Sequence, residues 1–227
     1  MNDFLRLLHE DRLTLIMSLP VNDPALCAAA FEAGADVVKV HINVAHRASG
    51  TRFGTLREAY PALKEMLDHR AGPMGLVLGA SPEAVLSDLD AAGSMPFSFY
   101  SLYAHHVPAR LLSGSVPLMA ACDSTYTPDE IAEMPRCGAN ILEASIVPGG
   151  EYGSPLTMRD LLHYSALVRS TGLPVVVPTQ RRITPEDVPA LVRTGIRGLM
   201  IGAVVTGRDR DSICRAIRAF KTAIQEV

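Results

Sequence analysis

Residues 37–43 read VVKVHIN, a short segment in which apolar residues alternate with residues that can do chemistry. A period of two is typical of a β-strand, because its successive side chains point to opposite faces. Lys39, His41 and Asn43 therefore share one face of the predicted strand. An amine, an imidazole and an amide can transfer protons or donate hydrogen bonds, so this face has the functional groups of an active site.

Four other apolar segments also end in polar residues, which are Ser18, Asp123, Glu143, Ser145, Thr179 and Gln180. Glu143 and Ser145 share one face of the segment ILEASIV, and Asp123 follows LMAAC. A buried lysine needs a partner of opposite charge. Lys39 with Glu143 or Asp123 could form an acid–base pair, or an ion pair that only stabilises the interior.

The elements that position these residues follow a repeated pattern. Five segments have the order helix, glycine, apolar strand, and they read AAFEAGADVVKV, LDAAGSMPFSF, EMPRCGANILEA, LVRSTGLPVVV and LVRTGIRGLMI. Glycine suits the left-handed position that ends a helix, and strands this apolar are typical of a parallel sheet covered by helices. Ser81, Thr127 and Thr184 each precede a proline and are predicted to begin helices. The eight predicted strands lie near residues 13–19, 36–43, 74–79, 96–102, 116–122, 139–146, 174–179 and 197–203.

Eight strand–helix units in 227 residues predict an α/β fold, a single (β/α)8 TIM barrel over residues 1–227. A helix at residues 2–10 is predicted as an addition before the first strand. A doubly wound open sheet is the main alternative. Since active sites of these barrels lie where the strands end, the predicted catalytic residues are Lys39, His41, Asp123 and Glu143.

The composition excludes several classes of protein. The chain is 48% hydrophobic and 20% charged with a net charge of −3, which indicates a globular protein and gives no reason to expect nucleic acid as a partner. The four cysteines are widely spaced, as expected of reduced thiols. No signal peptide or long apolar run is visible, so we expect no membrane association and a cytoplasmic location.

A metal site is one interpretation of the histidines. His105 and His106, together with His41, His46 and Asp123, supply donor atoms that metals bind. Adjacent histidines point in different directions on an extended chain, however, and no ligand spacing such as H-x-H is present. We therefore expect no metal ion and, since no redox cofactor motif is visible, no cofactor.

The segment PVVVPTQRRITPEDVPALVRTGIRGLMIGAVVTG (174–207) resembles the last two units of the phosphate-binding (β/α)8 barrels, the ribulose-phosphate-binding superfamily. The resemblance implies that backbone N–H groups at Gly202 and Ala203 bind a phosphate. It also suggests a contact from Arg181 or Arg182.

Within that superfamily, the second half of the chain is most similar to N-acetylmannosamine-6-phosphate 2-epimerase. LMAACDSTYTPDEIAEMPRCGANILEASIVPGGEYGSPL has the same order of strand, acidic residue, T-P helix start and long loop. The lysine that the epimerase has after its third strand is absent from GLVLGAS, and Thr179 or Gln180 stands where it has a glutamate. The resemblance therefore implies an architecture and a ligand class without the epimerase activity.

These observations predict an enzyme of carbohydrate metabolism that acts on a small phosphorylated, sugar-phosphate-like substrate. An isomerase or epimerase would need a general base, Glu143 or Asp123, and a group such as Lys39 or His41 that stabilises the enolate. The predicted substrate and phosphate contacts are Asn43, Ser145, Gln180, Arg181, Gly202 and Ala203.

Two alternatives remain open at this point. One is an aldolase or other carbon–carbon lyase in which Lys39 forms a Schiff base. The other is a non-catalytic barrel that binds a ligand or a partner. A homo-oligomer is compatible with all three hypotheses, although no motif requires one.

Overall fold

Eight parallel strands close into a barrel in the computed structural model, which describes residues 2–227. The barrel strands and one additional hairpin, β3–β4, are β1 (Thr14–Ser18), β2 (Val37–His41), β3 (Val44–His46), β4 (Thr51–Phe53), β5 (Met74–Val77), β6 (Phe99–Tyr103), β7 (Leu118–Cys122), β8 (Ile141–Ala144), β9 (Val175–Pro178) and β10 (Gly198–Ile201). Around the barrel the order is β1-β10-β9-β8-β7-β6-β5-β2, and β2 pairs with β1. The predicted (β/α)8 TIM barrel is confirmed, and the open-sheet alternative is wrong.

Helices surround the barrel, as the apolar strands require, and the first of them covers its amino-terminal end. Within residues 2–227 they are α1 (Asp3–Leu8), α2 (Pro24–Glu32), α3 (Leu56–His69), α4 (Pro82–Gly93), α5 (Pro128–Glu133), α6 (Met158–Thr171), α7 (Val188–Val192), α8 (Ala203–Thr206) and α9 (Arg210–Gln225). Two 3-10 turns, Ala104–His106 and Ala109–Ser113, replace a helix after β6. No helix in this part of the chain is long and apolar enough to cross a membrane.

Two of the three predicted helix starts are formed by a side chain that caps the first turn. The Ser81 side chain accepts a hydrogen bond from the Ala84 N–H at 3.2 Å and begins α4. Thr127 forms a capping box with Glu130 at the start of α5. The prediction at Thr184 needs a correction, because the first turn after it is a 3-10 turn, Pro185–Asp187, that leads into α7.

The additional helix α1 closes the amino-terminal end of the barrel. Phe4 and Leu8 are fully buried and pack among inward-facing strand residues such as Phe99. The Phe4 and Phe99 ring centroids are 4.1 Å apart. A β-carbon at position 75 would collide with the Phe99 ring, so Gly75 leaves the space that this aromatic residue fills. The amino-terminal end is therefore a packed core, and only the opposite end has room for a ligand.

Asp36 ties the start of β2 to the rest of the barrel. Its carboxylate accepts hydrogen bonds from Arg12 Nη1 at 2.9 Å, Lys221 Nζ at 2.7 Å and the Leu15 N–H at 2.9 Å. Burial acts to raise the pKa of Asp36, but these donors outweigh it and the pKa lies below its usual value of 3.8. Because the folded-state pKa is lowered, the stabilisation is present above the unfolded pKa and is lost as pH falls through the folded one.

Asp36→Asn is expected to lower the free energy of unfolding by about 1.5–3 kcal/mol at pH 7, since it removes charge-assisted hydrogen bonds. Urea unfolding of both proteins measures the difference, with Asp68→Asn as a control in an exposed ion pair. The difference should shrink as the pH falls below 4, because protonation of Asp36 then removes the same charge. A difference that does not change with pH would contradict this account.

The region after β2 differs from its prediction. The predicted strand 36–43 ends at His41, and Asn43 has a positive φ of 54° that turns the chain into hairpin β3–β4. The Asn43 side-chain Nδ2 donates to the Leu78 carbonyl at 3.2 Å and to the Asp88 carboxylate at 2.7 Å. Asn43 therefore faces α4, and the prediction that it shares one strand face with Lys39 and His41 is wrong.

Candidate active site

A cavity of about 360 Å³ opens at the carboxyl ends of the strands. Its walls include residues from β1, β2, β6, β8, β9 and β10, together with the hairpin β3–β4. Hydrophobic side chains fill the rest of the barrel below it. The cavity is therefore where a small ligand can reach the strand residues, as in other barrels of this kind.

Lys39 and Glu143 form an ion pair inside this cavity. Their Nζ and Oε2 atoms are 3.4 Å apart, and the two side chains are only 6% and 8% exposed. They come from β2 and β8, which are four places apart in the order of eight strands and so lie on opposite sides of the barrel. Of the two partners predicted for Lys39, the structure places Glu143 beside it.

Two serines hold the Glu143 carboxylate in place. The Ser101 hydroxyl donates to Oε2 at 2.9 Å, and the Ser145 hydroxyl donates to Oε1 at 2.8 Å. Ser101 was missed in the sequence, although the inward face of FYSLY, with Phe99, Ser101 and Tyr103 at a period of two, carries the signal. With Lys39, three donors surround the carboxylate and fix its orientation.

His41 lines the same cavity but has no polar partner. Neither of its ring nitrogens has a hydrogen-bond partner within residues 2–227, and Ser18 Oγ is also unpaired. Burial, with smaller contributions from His46 and Lys39, lowers the pKa of His41 well below 6.5. The imidazole is therefore neutral at pH 7 and offers one donor and one acceptor.

The hairpin β3–β4 covers His41. The Phe53 ring stacks on the His41 ring with centroids 4.8 Å apart, and the His46 centroid lies 4.5 Å away. His46 Nδ1 lies 2.9 Å from the Ser49 hydroxyl. His46 and the neighbouring Arg47 both line the cavity. The sequence suggested His46 only as a possible metal donor, and no pattern in it indicated Arg47.

The partly buried ring of His46 makes the stability of the hairpin depend on pH. Burial and the nearby Lys39 lower the pKa of His46 from 6.5 to about 4, and Glu143 opposes them weakly. Because the folded-state pKa is lowered, the contribution to stability is present above pH 6.5 and is lost as pH falls towards 4.

We expect the contribution of His46 to the free energy of unfolding to fall by about 2 kcal/mol between pH 7 and pH 5. Urea unfolding at the two pH values, compared between the unsubstituted protein and His46→Phe, measures it. The phenylalanine variant keeps an aromatic ring in the stack and cannot be protonated, so it should lose less stability over this range. Equal losses in both proteins would show that His46 does not titrate as described.

Gln180 connects two loops at the cavity edge. Its Nε2 donates to the Ser145 carbonyl at 3.2 Å and to the Tyr152 hydroxyl at 2.6 Å, and its Oε1 accepts from the Val147 N–H at 3.0 Å. Gln180, Ser145 and Tyr152 all line the cavity. The amide therefore positions the wall opposite the hairpin, and Tyr152 joins the site without having been predicted.

The predicted phosphate turn lies at the end of β10. Gly202 lines the cavity, and its N–H donates to Thr179 Oγ1 at 3.1 Å. Ala203 begins α8, whose next residue, Val204, also faces the cavity. Gly202 is therefore close enough to meet a ligand, although its own N–H already has a partner.

Two further predicted site residues lie outside the cavity. Asp123 accepts hydrogen bonds from the Thr125 N–H at 2.8 Å and the Thr125 hydroxyl at 2.6 Å, in a local turn after β7. Arg181 is paired with Asp160 at 3.0 Å and with Glu151 at 2.7 Å. The structure thus brings Lys39, His41, Glu143, Ser145, Gln180 and Gly202 together and separates Asp123 and Arg181 from them.

The histidines after β6 are arranged as an aromatic cluster. His105 stacks on Tyr103, and its Nδ1 lies 3.0 Å from the Tyr126 hydroxyl. Among residues 2–227 no group of three or more His, Cys, Asp or Glu side chains is arranged to hold a metal ion. His106 reaches the cavity wall.

Fold and site together describe a (β/α)8 barrel with a cavity at the carboxyl ends of its strands that contains a buried ion pair. No protein-family model and no curated protein sequence matches the chain. Solved structures do match. Thiamine phosphate pyrophosphorylase from Pyrococcus furiosus is 16% identical, with 94% of this chain and 96% of that chain covered and a TM-score of 0.64.

Tryptophan synthase from Mycobacterium tuberculosis is 15% identical over 98% of this chain and 95% of that chain, with a TM-score of 0.73. A protein from Aquifex aeolicus VF5 is 11% identical over 99% of both chains, with a TM-score of 0.75. At such identities the similarity shows the fold alone. It supports the predicted barrel but not the resemblance to N-acetylmannosamine-6-phosphate 2-epimerase.

Proposed function

We propose that this protein is an enzyme that transfers a proton at the carbon next to a carbonyl group of a small phosphorylated metabolite, as an isomerase or epimerase does. One observation carries the proposal: the Lys39–Glu143 pair lines a cavity of about 360 Å³. A buried ion pair adds little stability compared with apolar residues of the same size. The presence of such a pair beside a space large enough for a ligand is better explained by a catalytic role.

Glu143 is the general base in this proposal. A carboxylate has about four acceptor positions, and Ser101, Ser145 and Lys39 occupy three of them. The remaining position can take a proton from a substrate carbon in the cavity. The two serines hold the carboxylate in one orientation, which favours a base that must meet a weakly acidic C–H bond in a defined geometry.

Lys39 stabilises the enolate that forms when this proton leaves. An ammonium group has three N–H donors, and within residues 2–227 Glu143 is the one acceptor found for Lys39. Two donors are thus left for the developing negative charge on the carbonyl oxygen. A charge placed in a largely buried site stabilises such an oxyanion strongly. Neutral His41, two residues along β2, is a second donor or a proton carrier.

The phosphorylated substrate is supported by two observations. Gly202 of the predicted phosphate turn lines the cavity that contains the Lys39–Glu143 pair. One protein of similar fold, thiamine phosphate pyrophosphorylase, is named for a phosphorylated compound. Binding of a phosphate group away from the reacting carbons supplies energy that positions them against the catalytic residues.

The Schiff-base alternative requires Lys39 to attack a carbonyl as a free amine. Lys39 Nζ instead lies 3.4 Å from the Glu143 carboxylate in the arrangement of an ion pair, so proton transfer is the better explanation. The two mechanisms differ in a covalent product. Borohydride treatment with a carbonyl substrate adds mass to Lys39 only in the lyase mechanism.

Exchange of hydrogen for deuterium tests the proposal without knowledge of the product. The protein is incubated in D2O with a panel of phosphorylated aldoses and ketoses and their unphosphorylated counterparts, and 1H NMR follows the carbon next to the carbonyl. We expect deuterium to enter at that carbon in one or more phosphorylated compounds and not in the unphosphorylated ones. Compounds that bind without exchange would indicate the non-catalytic barrel instead.

A further inference from the structure

We infer that Arg47, on the turn of hairpin β3–β4, is the cation that binds the anionic group of the ligand in this cavity. The inference rests on the proposed function in one respect, that the ligand carries a phosphate or a similar anion. It goes further by assigning the charge to a side chain that follows β2, away from the predicted phosphate turn at Gly202.

The charges in the cavity leave Arg47 unbalanced. The ionisable residues that line it are Lys39, His41, His46, Arg47, Tyr103, His106, Glu143 and Tyr152. Lys39 and Glu143 cancel each other as +1 and −1. Burial lowers the pKa of all three histidines and raises that of both tyrosines, so these five residues are neutral at pH 7. The remaining charge is the +1 of Arg47, which suits an anionic ligand.

No protein group neutralises this charge. The ion pairs found within residues 2–227 do not include Arg47. Arg181, the arginine predicted for the phosphate, is in contrast bound by Glu151 and Asp160. Arg47 therefore keeps its planar set of N–H donors available, and such a set matches the oxygen atoms of a phosphate or carboxylate.

The position of Arg47 places this charge across the cavity mouth. Its guanidinium lies against Gly149 in the loop after β8, where a β-carbon would collide with it. The hairpin follows β2, and β2 and β8 lie on opposite sides of the barrel. The Arg47 side chain therefore reaches from the β2 side of the barrel to the β8 side, as the Lys39–Glu143 pair does. An anion bound by Arg47 would put the rest of a small molecule beside that pair.

The hairpin that carries Arg47 is held at several points. Phe53 stacks on His41, and the Asn43 N–H donates to the Gly54 carbonyl at 2.7 Å. Arg208, which follows α8, donates to Thr51 Oγ1 at 3.4 Å. These contacts position the backbone of the turn before a ligand arrives, which lowers the entropy cost of binding.

Inorganic phosphate is the probe for this inference, because its binding requires no catalysis. Isothermal titration calorimetry at constant ionic strength compares the unsubstituted protein with Arg47→Ala and with Arg52→Ala. Arg52 is a matched control, since it is an exposed arginine on β4 of the same hairpin and lies outside the cavity. We expect Kd to rise about 10- to 100-fold in Arg47→Ala, as for loss of a charge-assisted hydrogen bond, and less than about twofold in Arg52→Ala.

Arg47→Lys keeps the charge but loses the fork of donors, so an intermediate Kd is expected. Thermal unfolding without phosphate should give the same midpoint for all variants, because Arg47 is exposed and forms no ion pair in the described part of the chain. Equal phosphate affinity in Arg47→Ala and the unsubstituted protein would overturn the inference, and so would equal weakening in Arg52→Ala.

Failure of the inference can be told apart from failure of the proposed function. If phosphate binds and Arg47→Ala has no effect, the charge comes from elsewhere, and a Gly202→Asp variant then tests the turn after β10. That result leaves proton transfer at Glu143 untouched. If the unsubstituted protein binds no phosphate at all, the inference and the phosphorylated substrate are both wrong.

Discussion

Glu143→Gln is expected to slow deuterium exchange at the carbon next to the carbonyl by about 10²- to 10⁴-fold, the usual contribution of a general base. Glutamine has nearly the same size and still accepts hydrogen bonds through its Oε1 atom, so the cavity should keep its shape. It cannot accept a proton from carbon. The loss should therefore appear in the exchange rate, with ligand affinity changing much less.

The measurement is 1H NMR of the exchanging position in D2O, with thermal shift to record ligand binding. Glu65→Gln is the matched control, because Glu65 is an exposed glutamate on α3 and the substitution removes the same charge. Exchange that persists in Glu143→Gln at the rate of the control would exclude Glu143 as the base. His41 would then be the next residue to replace.

Lys39→Met is expected to lower the free energy of unfolding by about 3–5 kcal/mol, because it leaves the Glu143 carboxylate buried without its counter-charge. Both side chains are less than one-tenth exposed, so water can replace the lost ammonium only in part. The hydrogen bonds from Ser101 and Ser145 remain but carry no full charge. Urea unfolding at pH 7 measures the change.

The double variant Lys39→Met/Glu143→Leu should recover much of this stability, since apolar residues replace both charges. Lys64→Met is the control, because the Lys64–Asp68 pair is exposed to solvent and an ion pair there contributes little to stability. A loss below about 1 kcal/mol in Lys39→Met would mean that the cavity solvates Glu143 as water does. A stable double variant without exchange activity would show that the pair serves chemistry more than folding.

The two variants together separate the interpretations that the sequence left open. A structural ion pair predicts that stability falls and that any activity falls only in proportion to unfolding. A catalytic pair predicts a loss of exchange in Glu143→Gln that is much larger than any loss of folded protein, although this variant also leaves Lys39 without its counter-charge. Urea unfolding of Glu143→Gln gives its folded fraction, and dividing the exchange rate by that fraction makes the distinction possible.

Much of the barrel could be predicted from local patterns. Apolar runs located all eight strands, five of them directly after helix–glycine segments, because a strand covered on both sides must be apolar along its length. The observed strands are mostly shorter than predicted, for example Ile141–Ala144 in place of 139–146. The predicted strands extend too far at their ends because apolar residues continue into the turns, where strand pairing has already ended.

The cavity was predictable only in part. A period of two correctly placed Lys39 and His41 on the inward face, but the same period placed Asn43 there, and its positive φ turns it towards α4 instead. Asp123 also follows a strand, yet its carboxylate bonds to Thr125 in a local turn. Alternation holds only while the backbone stays extended, so it fails at the strand ends, where functional residues lie.

By itself the sequence determined the order of strands and helices and the residues available inside the barrel, since side-chain periodicity and helix capping depend on neighbours in the chain. Only the tertiary structure decided which of those residues meet. Lys39 and Glu143 are 104 residues apart and become partners because the closed barrel sets their strands opposite each other. His46 and Arg47 reach the cavity because the hairpin folds over its mouth, and no local pattern records that contact between distant loops.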